Sequence, residues 1–283
     1  MSKGTRRFVP SFSRKRFRLI LTLALILSAT GAFFYFLWLP DFRVTELTIT
    51  GVHTLESTPL EAHIRSHMSG EIFLLIPKDS IFFVNIAKLE KDLLGAFPRV
   101  ANTEAIKVFP SKLEIKIEER KLWGIFCATG REEQEVLQDT QEMKKKDEAS
   151  AEECAYIDAS GFGYEAAPSA SGNLIMKVTS DREAIQIPGV LVDPLYMEEF
   201  SRAKKEAEGV GIELIGFTLF SRVPSEFHVN AKEGFMIFLK RGGDYKNAFT
   251  VLQKVLEREI KGKRNQLEYM DLRFGNKVFY KYK

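Results

Sequence analysis

Cysteine and histidine are scarce in this chain, which has two cysteines and four histidines among 283 residues. A zinc site needs several such ligands at set spacings. The pair His63 and His67 has neither an adjacent glutamate nor a distant partner, so it indicates a polar helix face. We therefore expect no metal site.

Motifs for nucleophilic or phosphate chemistry are also missing. The S-G-F-G segment at 160–163 lacks the G-x-S-x-G order of a nucleophile elbow and the following lysine of a phosphate-binding loop. It predicts a turn that begins at Asp158. We expect no catalytic residue, no cofactor and no enzyme activity.

Positive charge is scarce beyond the first 18 residues. These 18 residues hold seven lysines and arginines and no acid, which leaves 34 basic and 38 acidic side chains in the remainder, a net charge of −4. Nucleic-acid binding requires clustered cations that neutralise phosphates. The body of the chain therefore does not have the charge pattern of a nucleic-acid-binding protein.

One long apolar run is present at residues 19–39, LILTLALILSATGAFFYFLWL, which contains no charged side chain. As a helix it would be roughly 31 Å long, the thickness of a bilayer core. The basic tail, 1–18, predicts a cytoplasmic N-terminus, and the aromatic residues at the far end fit the opposite interface. A cleaved signal peptide is the alternative, because 28–32 (S-A-T-G-A) offers small residues, but the apolar run continues for seven more. We predict an uncleaved anchor in the cytoplasmic membrane, with the body outside the cytoplasm.

Residues 42–120 predict a small two-layer unit in the order β-α-α-β-β. The first strand, over 42–55, changes the phase of its apolar residues between Val44 and Leu47, which predicts a bulge. The last strand alternates aliphatic and charged side chains and ends in Glu118, Glu119 and Arg120. We expect these last three residues to form a solvated strand end.

Residues 121–283 predict a strand-rich region with two flanking amphipathic helices, so the fold class is α+β with a transmembrane helix in front. Within 131–153, thirteen of 23 residues are charged, which indicates a solvated loop or flexible insertion. Cys127 and Cys154 bracket this segment. They either form a disulfide across a hairpin or remain two buried thiols.

Several fragments, taken in order, resemble the FtsQ/DivIB family of bacterial cell-division proteins. They are the strand that ends at Gly51, the P-x-V at 98–100, the P-x-x-L-x-I-x-I-x-E-R at 110–120 and the D-L-R at 271–273. The resemblance covers nearly the whole chain, more loosely over 121–260. It implies a POTRA domain at 42–120 and the family's β domain at 121–283.

The resemblance further implies a non-catalytic scaffold at the division septum. Such a protein recruits short single-pass partners, FtsB- or DivIC-like and FtsL-like, by extracytoplasmic contacts. The alternative is a POTRA-containing transport or envelope-assembly factor, although those generally carry several POTRA units and a transmembrane barrel. Carried over by position, the partner-binding residues are Arg273, Phe274, Val278 and Tyr280 near the C-terminus, and Val44, Thr48 and Val52 around the first strand.

Overall fold

A computed structural model describes the chain in two compact units, which divide between Glu119 and Arg120. The described residues are 14–72, 76–130, 152–169, 174–275 and 277–283. Nearly all of the predicted insertion at 131–153 lies outside them.

The first unit opens with the long helix α1 (Arg14–Leu37). Within it, the 20-residue stretch Phe17–Phe36 is predominantly apolar, with Arg18 as its one charged side chain, and is not buried. At about 1.5 Å per residue, such a stretch is long enough to cross a bilayer core. The predicted apolar helix is therefore present, and it begins before the apolar run itself.

Strands and helices alternate in the rest of the first unit. A short 3-10 turn (Pro40–Phe42) precedes β1 (Glu46–Thr50). The elements that follow are α2 (Ser57–Met68), β2 (Glu71–Ile72), β3 (Ile76–Pro77), α3 (Ile86–Ala96), β4 (Val100–Val108) and β5 (Lys112–Glu119). The main sheet has the order β1-β5-β4, with β1 parallel to β5 and β4 antiparallel to it. The predicted β-α-α-β-β order is confirmed, with a small hairpin, β2 and β3, between the helices.

The first strand is shorter than predicted, and at the predicted bulge the backbone N–H groups of Thr45 and Glu46 both donate to the carbonyl of Ser111, at 3.0 and 3.3 Å. The backbone N–H of Val44 donates to the carbonyl of Asp79 at 2.8 Å, and Arg43 forms an isolated bridge with Ser80. Pairing with β5 begins only at Glu46 and then continues without a shift of register. The change of phase after Val44 therefore marks a change of pairing partner along the chain.

Apolar side chains at helical and strand spacing form the core of the first unit. In α2 and α3 they recur every three or four residues, and in β5 they alternate, so each element buries one face. The buried members include Leu60, Ile64, Leu89, Leu93, Leu113, Ile115 and Ile117.

The second unit is built on a ten-stranded sheet. The first five strands are β6 (Gly124–Ala128), β7 (Glu153–Ile157), β8 (Phe162–Ala167), β9 (Met176–Ser180) and β10 (Gly189–Val190). The other five are β11 (Leu214–Leu219), β12 (Glu226–Ala231), β13 (Met236–Lys240), β14 (Leu267–Phe274) and β15 (Lys277–Tyr282). The order across the sheet is β10-β8-β7-β6-β9-β11-β12-β13-β14-β15, so β10 and β15 are the outer strands.

Two helices, α4 (Pro194–Gly209) and α5 (Tyr245–Val255), cover one face of this sheet. Phe200 of α4 stacks on Phe217 of β11 with ring centroids 4.1 Å apart, in the same buried core as Leu252 of α5. On β6, Phe126 belongs to this core, whereas its neighbour Cys127 belongs to a separate small cluster. This alternation places the two clusters on opposite faces of the sheet.

Candidate partner-binding edge

The last strand, β15, has an open edge. It pairs with β14 on one side and ends the sheet on the other. The N–H of Lys283 donates to the carbonyl of Gln266 at 2.9 Å, so alternate residues from Lys283 backwards direct their backbone groups towards β14. The backbone groups of Val278, Tyr280 and Tyr282 therefore point outward. No side chain in the described part of the chain accepts a hydrogen bond from their N–H groups.

Large rings flank this edge on both faces. Tyr280 and Tyr282 lie on the face where Val278 packs against the core, and their ring centroids are 5.7 Å apart. On the other face, Phe279 contacts Phe274 at 5.4 Å, edge to face. These four rings are 38% to 57% exposed. Aromatic side chains are enriched in protein–protein interfaces because they bury a large area at a small entropic cost.

Arg273, one of the predicted contact residues, is engaged within the fold. Its guanidinium lies 2.6 Å from Asp271 and also pairs with Glu226 of β12, and it sits over the ring of Phe238, which lies on the strand between. Hydrogen bonding to Asp271 raises the pKa of Arg273, partial burial opposes this, and Glu226 adds to the increase. Burial acts to raise the pKa of Asp271, but the bonds from Arg273 lower it. Arg273 therefore ties β14 to β12 behind the open edge.

The predicted contact residues near the C-terminus differ in their exposure. Phe274 and Tyr280 are exposed at the edge, whereas Val278 is half-buried against the core. Phe279 is absent from the predicted set, yet it is among the most exposed rings of β15. The sequence does indicate this exposure. In V-F-Y-K-Y at 278–282, apolar and polar residues do not alternate as they do in a strand with one buried face.

Around the first strand, the predicted contact residues are more buried than those near the C-terminus. Val44 is only 7% exposed and belongs to the core of the first unit, so its role in partner binding stays a prediction that its burial does not favour. Val52 packs against the same core and is half-buried. Thr48 is half-buried on β1, the outer strand of that sheet.

The two cysteines lie opposite each other on β6 and β7. In the structure, Cys127 and Cys154 form a disulfide across this strand pair. Glu152 is close to both sulfur atoms. Because metal ions bind the free thiolate, bonded sulfurs leave only the carboxylate as a ligand, and the group is not a metal site.

The predicted solvated strand end at 118–120 is wrong for Glu119. Its carboxylate accepts the backbone N–H groups of His53, Thr54 and Leu55 at 2.6 to 3.1 Å, and also the hydroxyl of Thr54. Partial burial acts to raise the pKa of Glu119, but these hydrogen bonds lower it to about 2. Glu119 therefore fastens the loop after β1 to the end of β5.

Arg120 likewise has partners within the second unit. It binds the carboxylate of Asp158 and lies 3.9 Å from the ring centre of Phe162. Asp158 also accepts the backbone N–H groups of Ser160 and Phe162, at 2.8 and 3.2 Å. Despite its burial, the pKa of Asp158 is lowered by these bonds and by the one from Arg120. The predicted turn at this segment is present, with Asp158 as its anchor.

A long apolar helix followed by a small sheet with two helices suggests a class, that of single-pass membrane proteins with a POTRA-like first unit. Comparison with protein families makes this specific, because residues 42–120 match the model of the POTRA domain, FtsQ-type. This domain and the N-terminal apolar helix fit an FtsQ/DivIB-like single-pass membrane protein. The domain type suggests a division-related POTRA protein, from a family that is generally non-enzymatic. A comparison with curated protein sequences gave no match.

Proposed function

We propose that this protein is a non-catalytic scaffold of the bacterial division machinery, which recruits single-pass partners by strand addition to β15. The observation that supports this proposal is the open edge of β15, with outward backbone groups and exposed rings on both faces. An added strand would satisfy the outward groups of Val278, Tyr280 and Tyr282, and the rings would supply specificity. The partners are extracytoplasmic segments of FtsB- or DivIC-like and FtsL-like proteins at the septum.

The same proposal assigns the parts of the chain. Residues 1–18 are a cytoplasmic basic tail, 19–39 the anchor, 42–120 the POTRA domain and 121–283 the β domain, with the charged insertion at 131–153. The division of the structure after Glu119 supports this assignment. With the N-terminus in the cytoplasm, both folded units lie on the outer side of the cytoplasmic membrane.

Charge on β15 favours an acidic partner strand. Lys277, Lys281 and Lys283 are exposed on or directly after this strand. Lys281 is paired with Glu268 at 2.7 Å, which leaves Lys277 as the cation best placed for a partner's carboxylate. Opposite charges across an interface increase the association rate and fix the register of the strands.

The test is a titration of the full-length protein, in lipid nanodiscs, with the extracytoplasmic segments of its FtsB-like and FtsL-like neighbours from the same genome. Tyr280→Pro removes an outward N–H without removing a hydrogen bond to β14, and proline is tolerated on edge strands. Tyr280→Ala, the matched control, removes the ring and keeps the N–H. We expect Tyr280→Pro to weaken binding by about tenfold or more beyond the loss in Tyr280→Ala.

Thermal unfolding of both variants must resemble that of the wild type for this comparison to hold. Equal binding by Tyr280→Pro and Tyr280→Ala would show that the edge is not used for strand addition. Absence of binding by the folded wild type, together with binding of unfolded chains, would favour the transport alternative.

A further inference from the structure

Four phenylalanines form an aromatic cluster at the C-terminal end of α1. Phe36 lies in the last turn of the helix, Phe42 in the 3-10 turn, Phe82 in the loop after β3 and Phe109 in the turn between β4 and β5. Ring centroids are 4.7 Å apart for Phe36 and Phe42, 5.4 Å for Phe42 and Phe82, and 5.6 Å for Phe42 and Phe109. Two distant segments of the folded domain therefore bring rings to the end of the apolar helix.

Three rings of this aromatic cluster expose a large fraction of their surface, which is unusual for a contiguous patch that faces water. Phe36 is 44% exposed, Phe82 46% and Phe109 65%. Single exposed apolar residues are common on soluble proteins, but a contiguous aromatic patch marks a binding surface. Phe42 joins the three rings and is itself half-buried.

We propose that Phe82 and Phe109 insert into the interface of the bilayer that holds α1, so that the POTRA domain is docked on the lipid surface. The apolar run ends at Leu39, three residues after Phe36, which places the Phe36 ring near the boundary of the hydrocarbon core. Phe82 lies 6.4 Å from Phe36, and Phe109 lies 6.1 Å from Phe82. The interfacial region extends roughly 5 to 7 Å beyond the hydrocarbon core on each side, so Phe82 is within its reach, and Phe109 packs on Phe42, the ring next to Phe36. The inference rests on the proposed membrane span of α1.

Aromatic insertion, and not attraction between charges, holds this surface to the lipid. Two cations around the aromatic cluster already have acidic partners: Arg43 pairs with Asp79 at 3.8 Å, and Lys112 pairs with Glu46 and Glu114 at 3.4 and 2.9 Å. A polybasic patch would require anionic lipid and would release in salt. The docking of this domain should therefore occur on phosphatidylcholine and persist at high ionic strength.

The test measures the depth of single tryptophans in the full-length protein. The protein is reconstituted in phosphatidylcholine vesicles whose acyl chains carry bromine near the headgroup, a quencher of tryptophan fluorescence. Phe82→Trp and Phe109→Trp are each made with Trp38→Phe and Trp123→Phe, so that each protein has one tryptophan. Leu94→Trp in the same background is the matched control, because Leu94 is a 40% exposed residue on α3 of the same unit. The Trp123→Phe protein, which keeps Trp38 beside the helix end, is the depth reference.

We expect the F82W and F109W proteins to be quenched several-fold more than the L94W protein, approaching the Trp38 reference, with no change in high salt. Quenching of F82W and F109W no greater than that of L94W, with the reference quenched, would overturn the docking and leave the membrane span intact. An unquenched reference would overturn both, because α1 would not hold Trp38 at a bilayer. Neither result depends on partner binding at β15, so failure of the scaffold proposal would be seen separately in the Tyr280 titration.

Discussion

Two outer strands, β4 of the first unit and β15 of the second, differ in whether side chains accept hydrogen bonds from their outward N–H groups. On β4 of the first unit, the N–H of Ala105 donates to the carboxylate of Glu90 on α3 at 2.9 Å. Two residues earlier, and so facing the same way, the N–H of Thr103 donates to the side chain of Asn102 at 3.0 Å. On β15 of the second unit, the outward N–H groups have no side-chain acceptor in the described part of the chain.

This difference separates an edge that is closed within the fold from one that is available to a partner. An unpaired edge is an aggregation hazard, and side-chain acceptors, charges and covering helices are common protections. On β4 the acceptors are built in, whereas on β15 the protection is limited to exposed lysines such as Lys277 and Lys281. Lysines repel a second copy of the same strand but attract an acidic one. The second unit is therefore the better site for strand addition.

Removing the support behind the open edge should have the largest effect. Arg273→Met takes away the cation between Asp271 and Glu226 and leaves two carboxylates close together, one of them nearly buried. We expect the second unit to lose about 3 kcal/mol of unfolding free energy, since breaking a buried ion pair leaves an uncompensated charge. Urea unfolding followed by the methyl NMR signals of Ile237, in the core of this unit, measures the loss.

Lys281→Met is the matched control on the exposed strand. It removes a cation that pairs with Glu268 on the surface, and such exposed pairs contribute little to stability. An Arg273 variant as stable as the Lys281 variant would contradict the internal role of Arg273. It would restore Arg273 as a free contact residue for a partner.

Acid should act on the second unit before the first. His228 of β12 stacks on Phe238, with Glu226, Asp271 and Arg273 nearby. Burial lowers the pKa of His228 from 6.5 to about 4, with Glu226 opposing this and Arg273 contributing. The unfolded chain therefore binds the proton first, so this contribution to stability is complete above pH 6.5 and is lost as the pH falls towards 4.

The variant that isolates this effect is His228→Phe, which keeps an aromatic ring next to Phe238. We expect the wild type to lose about 3 kcal/mol more than the variant between neutral pH and the folded-state pKa, in urea unfolding read from Ile237. Equal losses in the two proteins would show that other groups carry the acid sensitivity of this unit.

Local periodicity was sufficient to predict much of the fold. The apolar residues of α2, α3 and β5 follow the 3.6-residue and two-residue periods of helix and strand, and the structure buries them as expected. The apolar helix was equally readable, because a run of this length without charge is uncommon in a soluble domain. Each of these features depends on residues that are close together in the sequence.

Features that depend on distant pairing were not predictable in the same way. The hydrogen bonds of Glu119 cross more than 60 residues to the loop at 53–55, so its sequence context suggested only a solvated end. The state of Cys127 and Cys154 depended on strand register, which left two alternatives open. The D-L-R motif singled out Arg273 in the sequence. Its ion pair with Glu226 could not be predicted, because it depends on the order of the strands in the sheet.

The first unit should respond to acid only at lower pH. The pKa of Glu119 is about 2 in the folded state, against 4.5 ordinarily, so its contribution is complete above pH 4.5 and is lost as the pH falls towards 2. At neutral pH, Glu119→Gln should cost about 1.5 kcal/mol, because hydrogen bonds to a charged acceptor are weakened. Urea unfolding followed by the methyl NMR signals of Ile115 would measure this loss. The difference in unfolding free energy between the variant and the wild type should become smaller in acid. A difference independent of pH would show that the loss comes from packing and not from the charge.

Removing the side-chain acceptor at the β4 edge should have the smallest effect on stability, and it tests the contrast with β15 directly. Glu90→Ala removes the acceptor of the Ala105 N–H, whereas Glu90→Gln keeps an oxygen in the same place. We expect Glu90→Ala to destabilise the first unit by about 1 kcal/mol, the usual net contribution of one hydrogen bond, and Glu90→Gln to cost less. Glu90→Ala should also increase self-association in light scattering, because β4 then offers a free N–H to another strand. Unchanged self-association in a destabilised Glu90→Ala protein would mean that α3 alone protects this edge. The contrast with β15 would then depend on the covering helix and not on the side-chain acceptor.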